Sequence, residues 1–136
     1  MAVQHTWTTR ITVPGLPSLP SDAALVISGN SSEEFEANVN PTSTTTLTVG
    51  AITAANLVSL VFNAQTAGLV VNTNVFNGAA ATGNTFTLAA GTSFSWNNTL
   101  NSVAFPNPIT SNITKFFLIN SSGTTATFRA GLLANN

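Results

Sequence analysis

Residues 112–133 read NITKFFLINSSGTTATFRAGLL. Lys115 to Asn120 is a β-prone apolar run, Ser121-Ser122-Gly123 carries turn chemistry, and Thr124 to Leu133 is a second run. Two such runs joined by a short loop containing Gly predict a β-hairpin. Successive strand side chains alternate, which sends Phe116 and Leu118 to one side and Phe117 and Ile119 to the other. Both sides are apolar, whereas a hairpin with one wet face shows polar residues at every second position. The segment is therefore expected between a core and something else, either a second layer or another subunit.

Upstream, the same period of two recurs. His5 to Val13 alternates, with Trp7, Thr9, Ile11 and Val13 on one side and Thr6, Thr8, Arg10 and Thr12 on the other. The three prolines of Pro14–Ser21 block ladder pairing and favour an extended connector. That connector either carries the first strand to the opposite sheet or a neighbouring subunit, or forms a rigid surface loop. Ala24 to Ser28 is a short strand ended by Gly29-Asn30. Glu33 to Asn40 points Phe35, Ala37 and Val39 inward and Glu34, Glu36, Asn38 and Asn40 outward. After Pro41-Thr42-Ser43 the chain returns through Thr44 to Gly50, and Ala51 to Asn56 reads as one helical turn with Thr53 as its cap. Leu57 to Asn63 and Leu69 to Val75 predict a second hairpin. Asn77 to Gly83 is a loop by composition, Thr85 to Leu88 and Ser93 to Trp96 are strands, and Asn97 to Asn112 is a long excursion.

Short strands with frequent turn signals predict an all-β fold, a single antiparallel, jelly-roll-like β-sandwich of eight to ten strands. It spans residues 1–136 as one domain, with 1–21 forming an N-terminal strand or arm and Pro-rich connector. A faint internal echo fits two halves of such a sandwich. Asn56-Leu57 through Gly68-Leu69 and Asn112-Ile113 through Gly123-Thr124 share the order Asn, aliphatic, apolar strand, Asn, small loop, Gly, strand.

A chain of 136 residues buries roughly 65–70% of its unfolded surface without staples, and this one has no Cys. Met1 to Trp7 lacks the basic and apolar regions of a secretory signal. No apolar run approaches the ~18–20 residues of a membrane helix. Only 5% of residues are charged, against about 25% in ordinary globular proteins. Three cations cannot form the clustered basic patch that nucleic acid requires. A net charge of −1 also gives little self-repulsion for solubility. Such a surface suits burial against protein better than free solution.

Chemistry is sparse. The one histidine, His5, sits near the start of the chain, which makes a Ser–His triad improbable, and neither a nucleophile elbow nor a phosphate-binding Gly loop occurs. No catalytic, cofactor or metal residues are expected. Asp22, Glu33, Glu34 and Glu36 cluster within fifteen positions. A glycosidase pair of Glu34 and Glu36 is one reading; a solvated or intersubunit acidic edge that discourages aggregation is the preferred one. Lys115 and Arg129 are expected on facing strands of the final hairpin, and either could pair with this patch, within the subunit or across an interface. Trp96 with Asn97 and Asn98 has the composition of a glycan platform, although a core tryptophan is the commoner use.

TFTLAAGTSFSW (85–96) followed by NPITSNITKFFLINSSGTTATFRAGLL (107–133) resembles small β-sandwich structural proteins of tailed bacteriophages, and HTWTTRITV and Ala51–Phe62 fit the same layout. The resemblance implies a virion protein made in the host cytoplasm, a capsid decoration (cement) protein that binds the major capsid protein as a homo-oligomer, a trimer being favoured. Contact residues expected on that basis are Trp7, Arg10, Lys115, Phe116, Phe117 and Arg129. The alternative is a receptor- or glycan-binding module of a head fibre or tail using Trp96, Asn97 and Asn98.

Overall fold

The computed structural model describes residues 3–9, 23–76, 83–98 and 105–135. Ten strands are found among them: β1 (Val3–Thr9), β2 (Ala23–Gly29), β3 (Ser31–Val39), β4 (Ser43–Ile52), β5 (Leu57–Gln65), β6 (Leu69–Thr73), β7 (Thr85–Leu88), β8 (Thr92–Asn97), β9 (Ile113–Asn120) and β10 (Ala126–Ala134). The 3₁₀ turn Ala54–Asn56 is shorter than the turn expected from Ala51, since Ala51 and Ile52 belong to β4. Thr53 makes no side-chain cap; Asn112 Oδ1 accepts from Ala54 N instead, at 3.0 Å.

Eight strands form two four-stranded antiparallel sheets packed face to face. The first has the order β3-β10-β5-β8 and the second β4-β9-β6-β7. β3 pairs with β10, β4 with β9, β5 with β8 and β6 with β7, so the pairs nest from the outside of the chain inward. That nesting is one long hairpin rolled upon itself, which is a jelly roll.

Both predicted hairpins are corrected by this topology. β9 lies in the second sheet and β10 in the first, and likewise β5 and β6 occupy different sheets. Each connection arches across the core rather than reversing within a ladder. The β5–β6 connection, residues 66–68, has one left-handed residue, Thr66 (φ 69). Arching also lets both strands press their apolar sides into one core. The internal echo falls on these two arches. Their strands β10 and β5 are the inner pair of the first sheet, and β9 and β6 the inner pair of the second.

Alternation then places the core. Phe62 on β5 meets Phe128 on β10 and crosses to Phe86 and Phe116 of the opposite sheet, with ring centroids 5.1–5.8 Å apart. Leu60, Leu118, Val71 and Leu132 are buried around them. Phe116 is among the fully buried side chains, so its expected role as a contact residue is overturned.

β1 and β2 pair with each other, Val3 opposite Gly29 and Trp7 opposite Leu25, in a separate ribbon. β1 therefore does not join the opposite sheet. The side chain of Trp7 and the whole of Arg10 lie outside the described residues. The ribbon meets the sandwich where Asn30 N donates to the Ala134 carbonyl at 3.0 Å. A Cβ on Gly29 would stand 2.7 Å from both the Ala134 carbonyl oxygen and Leu133 Cγ. Gly29→Ala is therefore expected to cost about 1–3 kcal/mol through overpacking, seen as a lower urea midpoint. An unchanged midpoint would mean that β2 does not lie against β10.

Candidate functional site

The outer face of the second sheet has the composition of a contact surface. Its transverse rows read Thr44–Ile119–Val70–Thr87 and Thr46–Phe117–Asn72–Thr85. Threonines on the edge strands β4 and β7 thus frame an apolar centre contributed by the inner strands β9 and β6. Ile119, Val70 and Phe117 are half-buried, although their partners within the sheet cover only their flanks. Shallow depressions of about 360 Å³ each lie on either side of Ile119.

Phe76 adds a projection to this face. Its ring is 58% exposed and stands edge-on to Phe117, centroids 6.0 Å apart. Two asparagines hold the segment that carries it. Asn72 Nδ2 donates to the Phe76 carbonyl at 2.6 Å while Asn72 Oδ1 accepts from Thr85 Oγ1. Asn74, in the left-handed region at φ 61, donates its N–H to the Lys115 carbonyl and accepts from Thr114 N. Asn tolerates that backbone better than most residues, because its short amide bonds locally. Lys115 is exposed two residues before Phe117 on the same side of β9 and is the single ionisable group of this face among the described residues.

The outer face of the first sheet is different. One row reads Glu36–Arg129–Asn63–Ser93 and the next Glu34–Gly131–Val61–Ser95. Arg129 Nε lies 2.7 Å from Glu36 Oε2, with the two side chains 56% and 57% exposed. Screened by water, such a pair contributes below about 1 kcal/mol. Gly131 leaves no side chain between Glu34 and Val61, and a hollow of about 580 Å³ opens there.

Several expected placements change. Lys115 and Arg129 occupy opposite outer faces of the sandwich, not facing strands of one hairpin. Arg129 does meet the acidic patch, through Glu36. Glu33, Glu34 and Glu36 lie on β3, an edge strand, a place where charged side chains disfavour strand addition. Glu34 and Glu36 are both exposed on one side of β3, as their spacing requires. Trp96 is 5% exposed and its Nε1 donates to the Phe105 carbonyl at 3.4 Å. Asn97 is buried as well, and only Asn98 of the three is exposed. An indole packed into the core has no free face for a sugar ring, so the glycan platform is corrected to a core element.

Phe76, Val70 and Asn72 were not signalled by the sequence as site residues. Val70 and Asn72 acquire their role by standing beside β9, a pairing that no local pattern announces. The threonines at 44, 46 and 48 do carry a signal, polar residues at every second position of a strand.

Compared with protein-family models the chain matches none, and no curated protein matches it either.

Proposed function

We propose that this protein is a non-enzymatic structural component of a bacteriophage particle, a decoration protein that stabilises the capsid by bridging its subunits. The observation that carries the reading is the outer face of the second sheet, where an apolar centre framed by threonine hydroxyls bears one charge among the described residues. Apolar area with hydroxyl and amide groups around it is the composition of a protein-contact surface, with charges depleted at the centre. The likeness of residues 85–96 and 107–133 to tailed-phage structural proteins supplies the class of partner, the major capsid protein. Fold alone would not, since jelly rolls serve many functions.

Linked or oligomeric copies on a lattice gain effective concentration, and avidity exceeds the affinity of one contact by about 10²–10⁴. The test is co-sedimentation of purified protein with assembled phage shells stripped of their outer proteins. Saturation at a fixed ratio to capsid subunits, together with a raised temperature of shell rupture, is the expected outcome. Protein that stays in the supernatant at every concentration would rule the reading out.

A further inference from the structure

The Arg129–Glu36 pair leaves two kinds of charge on the described residues without an ion-pair partner. Lys115 stands on the outer face of the second sheet, and Glu33 and Glu34 stand on β3 of the first. The same two places differ in shape. Beside Lys115 the Phe76 ring projects from the Phe117 surface. Beside Glu34 lies the hollow above Gly131, walled by Val61 and Arg129.

We propose that these two places are the two halves of one self-association contact. The occupant of the hollow is Phe76 of a second copy of this chain, with Lys115 of that copy against Glu34. The apolar ring enters a depression whose floor is glycine and whose wall is Val61. The ammonium then meets a carboxylate that has no partner of its own among the described residues. Arg129, held by Glu36, keeps its guanidinium at the rim, over which an aromatic ring stacks favourably.

The geometry has a consequence for symmetry. Knob and hollow lie on opposite outer faces, so a copy that fills its neighbour's hollow still offers its own. Such a heterologous contact generates a ring where the rotation closes and a chain where it does not. A partner of another kind would need to carry both complements itself, whereas this chain already carries both.

Light scattering and sedimentation velocity of the full chain over a wide concentration range test this. Wild type is expected to form species larger than a monomer that dissociate as salt is raised, because the charge pair is screened. Lys115→Glu and Glu34→Lys, both at exposed positions, are each expected to weaken assembly by at least about tenfold, the effect of like charges juxtaposed at an interface. Mixed one to one, the two variants restore it, since each presents the charge the other lacks. Phe76→Ser is expected to weaken assembly while lowering the melting temperature only slightly, through the lost ring contact with Phe117. A wild type that is monomeric throughout, variants that assemble like wild type, or a mixture that stays dissociated would overturn the proposal.

The proposal does not depend on a shell. Assembly without shell binding would leave it standing and remove the capsid function, and shell binding by a strict monomer would do the reverse.

Discussion

Phe62→Ala is expected to destabilise the protein by about 3–5 kcal/mol, the largest loss from any single core truncation here. Phe62 is fully buried and its ring touches the aromatic rings of both sheets: Phe86 and Phe116 across the core, and Phe94 and Phe128 on neighbouring strands. Removing it takes away transfer free energy and leaves a cavity that β-sheet backbones on both sides keep from collapsing. Edge-on aromatic pairs add about 0.5–1.5 kcal/mol beyond the buried area. Domains of this kind have only about 5–15 kcal/mol in total, so the variant loses a large share. Urea unfolding followed by tryptophan fluorescence measures it. Phe94→Ala, at a half-buried position on the edge strand β8, serves as the milder comparison. A Phe62→Ala loss no greater than that of Phe94→Ala would mean the sheets do not meet through this ring.

Asn120 comes second, with an expected loss of about 2–4 kcal/mol for Asn120→Ala from the polar groups it leaves unsatisfied. Its side chain is 1% exposed at the end of β9. Nδ2 donates to the Val39 carbonyl at 3.0 Å and the Thr124 carbonyl at 2.8 Å. Oδ1 accepts from Ser122 N at 2.9 Å and Ser122 Oγ at 2.7 Å. One amide thus ties the β9–β10 arch to the end of β3, with every hydrogen-bonding position used. Truncation strands the buried Val39 carbonyl and frees Ser122 N, while the Thr124 carbonyl keeps the bond it accepts from Ser122 Oγ at 2.9 Å.

Asn120→Asp separates hydrogen bonding from size. A carboxylate there would face two carbonyl oxygens and lose its solvation, which raises the folded-state pKa above the unfolded value. The protonated form is then the better tolerated, so this variant gains stability as pH falls and loses it as pH rises through the folded-state pKa. Melting curves at acidic and neutral pH read the effect. A variant more stable at neutral than at acidic pH would contradict the bonding described for Asn120.

These two residues show where local sequence stops being informative. Phe62 lies in LVSLVFNAQ, a run whose burial is plain from composition, yet nothing in it names Phe86 or Phe116 as partners. Asn120 reads as turn chemistry before Ser121-Ser122-Gly123, and it does organise a turn. That the turn arches between sheets, and that its amide reaches Val39, 81 positions away, is absent from the local pattern. The same distinction governs the contact surface. Phe117 and Ile119 are assigned correctly to the side opposite Phe116 and Leu118, because that depends only on the pleat. Val70 and Asn72 join them through pairing with β9, and Phe76 through two asparagine side chains.

Most strand positions from Ala23 onward, the inward and outward side of most of those strands, the acidic outer side of β3 and the poverty of charge were all determined by the sequence alone. Alternation is a property of the extended backbone, and charge is a property of composition, so neither depends on what lies nearby. Tertiary structure alone decided that β9 and β10 occupy different sheets, that Lys115 and Arg129 stand on opposite faces, and that Trp96 is covered. Turn residues specify that a chain reverses, but not whether it returns beside its neighbour or across from it. That choice follows from burying the apolar sides of all eight strands in one core, which no segment can settle by itself.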